Sequence, residues 1–188
     1  MYFVVLSATA FLLISIFSTN WPVKLYHHQL LKKLARELNT NPQKYGLLSS
    51  NVYSEIICSY RGKSFRIRFI ENSIDSIKTN SGLEIRMSEN TGLVMEFYRA
   101  KHRKRVWGDY QQFQSGDSWI DTEWSILTTD LDKADELWER TKLSALLKDL
   151  PQIEQILINR QEIIVQLKHF HSGKTALNLI ERLVTLTN

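Results

Sequence analysis

One cysteine, three prolines and seven glycines stand among 188 residues. The lone Cys58 excludes an intrachain disulfide, and nothing in the chain asks for an oxidising compartment. There is no low-complexity tract and no close internal repeat. No G-x-S-x-G elbow, P-loop or dinucleotide fingerprint is present, so the common nucleophile and nucleotide motifs are absent. Charge is also missing where it is usually frequent: the first 23 residues carry none, and Lys24 is the first charged side chain. What remains is ordinary globular material, 43% hydrophobic and 23% charged.

The uncharged start contains Tyr2–Phe17, an almost wholly apolar run. At about 1.5 Å per helical residue, roughly 20 residues cross a bilayer core, and residues 1–21 just meet that length. Trp21 and Tyr26 suit the headgroup level. A cleaved signal peptide is the first rival reading, but no basic residue precedes the run and 16–20 offer no small-x-small site. A buried core helix is the second, weakened by an apolar character on every face. The expectation is an uncleaved transmembrane anchor over 1–21. Lys24, Lys32, Lys33 and Arg36 follow the run and no basic side chain precedes it. That asymmetry places the remaining domain in the cytoplasm, at the inner or another plasma membrane, in a single-pass topology.

Charge is unevenly spread beyond the anchor. Residues 22–54 have a net charge of +4, 55–105 of +5, 106–150 of −6 and 151–188 of +1. A basic half near a cytoplasmic leaflet is attracted to anionic lipid. Alternatively, the basic and acidic halves attract one another.

Periodicity then gives the elements. Leu30, Leu31, Leu34, Ala35 and Leu38 recur at helical spacing within a juxtamembrane amphipathic helix, 22–42, that Asn39-Thr40-Asn41-Pro42 ends. Strands follow at 54–60, 64–70, 83–87 and 93–99, with turns at Arg61-Gly62-Lys63, Asn80-Ser81-Gly82 and Asn90-Thr91-Gly92. In SFRIRFI, Phe65, Ile67 and Phe69 alternate with Arg66 and Arg68, predicting one apolar and one basic face. Residues 100–118 read as a loop or a loosely paired hairpin end, and 119–129 as a strand. Thr129 or Asp130 caps a helix at 131–140, and a short helix spans 143–150. A hairpin over 153–158 and 162–170 precedes a last helix at 174–186. The fold class is α+β: a transmembrane helix, then a mostly antiparallel sheet with packed helices over 43–188, with lobes at 43–105 and 119–188.

Three patches carry a resemblance: SYRGKSFRI (Ser59–Ile67), SGDSWIDTEWSI (Ser115–Ile126) and TTDLDKADELW (Thr128–Trp138). They resemble a loose group of uncharacterised bacterial proteins with one amino-terminal span and a cytoplasmic α+β domain. The motifs are short and degenerate, span roughly 50–188, and imply no activity.

Candidate sites are sparse. RAKHRKR is the densest basic run, with Trp107 and Tyr110 close behind. Arg99, Lys101, Arg103, Lys104 and Arg105 are the candidate contacts to anionic lipid or phosphate, weighed against a solvated loop; nucleic acid fits less well in a tethered protein. Gly116, Asp117 and Asp121 lie close together, but no further oxygen ligands accompany them, so a turn and a solvent-facing position explain them. His169 and His171 share a strand face without a third metal ligand. His27 and His28 fall where headgroups begin. Cys58 reads as a small buried thiol, and Trp119, Trp124 and Trp138 as core or interface residues. No catalytic residue, cofactor or metal is assigned.

The functional expectation is a membrane-anchored, non-enzymatic binding or scaffolding module with a protein partner. Lys32, Lys33, Arg66, Arg68 and the 99–105 run would hold its surface near headgroups. The alternative is a membrane-associated hydrolase or other enzyme using Asp117, Asp121 and the histidines. A pocket joining carboxylate to imidazole would favour the enzyme.

Overall fold

A computed structural model describes residues 2, 5–7, 9–11, 14, 21–41, 55–71, 81–100, 108–168 and 173–186. Its centre is an eight-stranded sheet in which every pairing is antiparallel. In chain order the elements are α1 (Trp21–Glu37), β1 (Glu55–Tyr60), β2 (Lys63–Glu71), β3 (Ser81–Ser88), β4 (Met95–Arg99) and β5 (Gln111–Phe113). They continue with α2 (Ser118–Glu123), β6 (Trp124–Thr128), α3 (Leu131–Arg140), α4 (Leu143–Asp149), β7 (Ile153–Ile158), β8 (Glu162–Leu167) and α5 (Gly173–Leu186). The α+β class is as expected.

The transmembrane part of the expectation is overturned. Among the described residues no helix is long and apolar enough to cross a membrane. Residues 2, 5–7, 9–11 and 14 are helical, and Thr9 Oγ1 donates to the Val5 carbonyl at 2.7 Å. The helix that follows, α1, has 17 residues, about 25 Å at 1.5 Å per residue, against a core of roughly 30 Å. It also carries lysines and Arg36. Part of it folds onto the domain, with Leu31, Leu34 and Ala35 fully buried.

Local chemistry ends α1. Asn39 takes a left-handed conformation (φ 52°), Thr40 N–H donates to the Ala35 carbonyl at 2.8 Å and Asn39 N–H to that of Arg36 at 3.2 Å. This is a Schellman closure, which satisfies carbonyls the last turn would leave unpaired. The expected stop at Pro42 lies outside the described residues.

The alternation in β2 is realised. Phe65, Ile67 and Phe69 are buried, while Arg66 is exposed and Arg68 half-buried on the opposite face. The β1–β2 turn places both Arg61 (φ 48°) and Gly62 (φ 80°) in the left-handed region. That pair defines a two-residue type I′ turn, whose twist matches the flanking strands.

The order along the sheet is β1-β2-β3-β8-β7-β4-β6-β5. The expected neighbours β3 and β4 therefore do not pair. The β7–β8 hairpin lies between them, with Ile85 opposite Val165 and Phe97 opposite Ile156. One sheet thus draws strands from both ends of the chain. Five-residue strands such as β4 do not close a core alone; they pair wherever a continuous apolar face results.

Residues 119–123, expected as strand, belong to α2, which starts at Ser118. Asp117 caps it, accepting from Trp119 N–H at 3.1 Å and Ile120 N–H at 3.3 Å. The strand begins only at Trp124. Along the sheet, Ile67, Ile85, Val165, Ile156, Phe97 and Ile126 face the same side and belong to one core. Leu179, Ile180 and Leu183 of α5 and Leu146 and Leu147 of α4 join that core.

Candidate functional site

A concavity lies inside this core. It is a cavity of about 230 Å³ between the sheet and α3, α4 and α5. Ile156 and Ile158 of β7 and Ile163 of β8 form its floor. Leu143 and Leu146 of α4, Leu137 of α3, and Leu183 and Leu186 of α5 form its walls. These positions exist because α4 buries Leu143 and Leu146 on one face and α5 presents a continuous apolar stripe.

The rim is polar. Glu89, Asn90 and Thr91 come from the segment after β3, and Arg140 and Thr141 from the end of α3. Glu89 is engaged by Lys63. Thr91 Oγ1 donates to the Asn159 carbonyl at 2.7 Å, which ties the rim to the β7–β8 turn. Thr141 N–H closes α3 on the Leu137 carbonyl, and its hydroxyl is buried without a hydrogen-bond partner.

The opposite sheet face carries two polar clusters. Glu84 is 4% exposed and accepts from Arg68 Nε at 2.8 Å and Arg86 Nε at 2.7 Å. Burial alone would raise its pKa, but the two guanidinium groups together hold the carboxyl below its ordinary range. Farther along, Glu96 accepts from the hydroxyls of both Tyr98 and Tyr110. Burial, then the Glu96 carboxylate, pushes the Tyr98 phenol up. Each carboxylate is taken up by cross-strand or neighbouring donors, which makes these clusters sheet-stabilising pairs.

The sequence candidates fall elsewhere. Arg99 is turned into the fold: Nη2 donates to the Pro151 carbonyl at 2.8 Å and Nε to that of Ile153 at 3.2 Å. Its guanidinium stacks over Trp124, 4.3 Å from the ring centroid. Lys101, Arg103, Lys104 and Arg105 lie outside the described residues, as do His169 and His171. Asp117 is a helix cap bonded to Lys148, and Asp121 accepts from Ser115 N–H at 2.9 Å. Both acids are thus spent on the local loop–helix junction. No group of three His, Cys, Asp or Glu among the described residues is placed to hold a metal. Cys58 is half-buried in β1, and burial raises its thiol pKa.

His27, expected at headgroup level, is instead 7% exposed and stacked on Phe69. Burial lowers its pKa to about 4. Sequence reasoning missed the cavity altogether. The leucines and isoleucines that line it have the same spacing as filled core, and only the tertiary arrangement leaves space among them.

No protein-family model matches the chain, and a search of curated proteins finds no match. Among solved structures, the crystal structure of the mycobacterial trehalose monomycolate transport factor A, TtfA, is similar with a TM-score of 0.59. The two are 14% identical over 85% of this chain and 89% of that one. At that identity the likeness is one of fold: this chain has a sheet-and-helix domain similar to that of TtfA.

Proposed function

We propose that the protein is a non-enzymatic binding or scaffolding module that works in association with the cytoplasmic face of a membrane, together with a protein partner. The observation that carries this reading is the character of the cavity. Its interior is aliphatic; among the described residues its one lining carboxylate, Glu89, is bonded to Lys63, and no imidazole or thiol lines it. Such a volume offers binding energy but no acid–base pair.

Membrane association is supported by exposed apolar side chains near the amino terminus, among them Tyr2, Leu6, Phe11 and Ile14. Large apolar side chains left together in water favour a lipid or protein surface. The association proposed is contact, not a span. Lys101, Arg103, Lys104 and Arg105 add attraction to anionic headgroups. The fold neighbour's name, a transport factor, is in keeping with a role other than catalysis.

The test is recovery of the tagged full-length protein from native membranes under mild solubilisation. A stoichiometric protein partner in the membrane fraction supports the reading. Recovery in the soluble fraction with no partner overturns it.

A further inference from the structure

The cavity has a size and a polarity that together specify a ligand class. Its volume of about 230 Å³ exceeds the roughly 150 Å³ of an engineered apolar cavity that takes benzene. It falls short of the roughly 300–1,000 Å³ of pockets for drug-sized ligands. At about 30 Å³ per water-sized group there is room for about seven chain carbons. One acyl chain fits; a fused-ring or two-chain ligand does not.

Its polar lining groups belong to Glu89, Asn90, Thr91, Arg140 and Thr141. Thr141 Oγ1 is buried with no partner, a state that costs free energy unless a ligand satisfies it. Arg140 is exposed beside it, in the last turn of α3, and makes no ion pair or hydrogen bond among the described residues. The opposing charge, Glu89, is already neutralised by Lys63. The uncompensated charge at the mouth is therefore positive, and a hydroxyl stands beside it. Apolar walls with one unpaired cation beside the Thr141 hydroxyl, and with Asn90 and Thr91 also among the lining residues, match an anionic head on a hydrocarbon tail.

We propose that this cavity binds a single-chain anionic amphiphile, with the acyl chain among Leu143, Leu146, Ile156 and Leu183 and the head group held by Arg140 and the Thr141 hydroxyl. The proposal rests on the reading of the cavity as a binding site, but it fails separately. A membrane partner can copurify with a protein that binds no amphiphile.

The experiment is calorimetric titration of the full-length protein with sodium octanoate, heptyl phosphate and heptyltrimethylammonium, each below its micellar concentration. The expected result is one-to-one binding of octanoate or heptyl phosphate, and the preferred anion separates a carboxylate from a phosphate head. R140Q, a change at an exposed side chain, weakens that binding at least tenfold, about 1.4 kcal/mol. L186W, at the half-buried end of α5, fills the cavity and abolishes binding, with melting measured in parallel. If L186W does not fold, R140Q carries the test. Three results overturn the proposal: neither anion binds one-to-one, binding is unchanged by R140Q, or the ammonium amphiphile binds as tightly as the anions.

Discussion

The imidazole of His27 lies stacked on the phenyl ring of Phe69, with centroids 4.0 Å apart and planes inclined by 11°. This contact joins α1 to β2 across the core, and it places a titratable ring where water is scarce. Burial holds its folded pKa at about 4, below the ordinary value of 6.5. The neutral ring is therefore the form that the fold accepts. Its contribution is fully present above pH 6.5 and is lost as pH falls from 6.5 towards 4. Thermal melts of the wild type should fall through that window, by on the order of 1–2 kcal/mol after allowance for residual solvent access. H27F should flatten the fall. Parallel pH profiles of wild type and H27F would count against the assignment.

The Glu84 carboxylate bridges Arg68 and Arg86 from a nearly inaccessible position on β3. Removing it leaves two guanidinium groups facing each other over one sheet face. E84Q should cost about 2–3 kcal/mol in urea unfolding, since an uncompensated charge is the larger part of such losses. The double variant E84Q/R86Q should recover part of it. Full additivity of the two substitutions would show that the pair is not coupled.

Arg99 and the basic residues that follow it should separate cleanly by assay. R99Q loses two carbonyl contacts and the stacking over Trp124, and should destabilise the fold by about 2 kcal/mol. Joint neutralisation of Arg103, Lys104 and Arg105 should leave the melting point within a degree or two and reduce flotation with anionic vesicles. Unchanged flotation would reduce that run to a solvated loop.

Thr141 offers a test of stability against ligand binding. Its hydroxyl is buried without a partner, so T141V should stabilise the empty protein by about 1 kcal/mol. A loss of stability instead would show that the hydroxyl is satisfied, as by a bound water.

Much of the β-sheet was visible in the sequence because its signal is local. Phe65, Ile67 and Phe69 alternate with Arg66 and Arg68, and a strand with that pattern has one way to face a core. The helices α1, α3 and α5 were visible for the same reason, as stripes at helical spacing. The start of α2 was not. Trp119 and Ile120 look like strand residues until Asp117 accepts their N–H groups, and a cap of that kind competes with extended pairing on nearly equal terms. The first 21 residues show the opposite failure. Hydropathy alone argued for a span, yet among the described residues no helix meets its length and apolarity.

Local chemistry in the chain therefore determined most of the strands, the helices α1, α3 and α5, a turn at Arg61-Gly62-Lys63 and the two-faced character of β2, because those depend on neighbours one to four residues apart. Only the tertiary structure decided that the β7–β8 hairpin enters between β3 and β4, and that Arg99 turns inward to Pro151 and Ile153. It also decided that space remains between α4, α5 and the sheet, with Arg140 and Thr141 at its mouth. Strand order and cavities arise from contacts between residues far apart in the chain. Their free energies depend on what packs against what, and no short window of sequence contains that information.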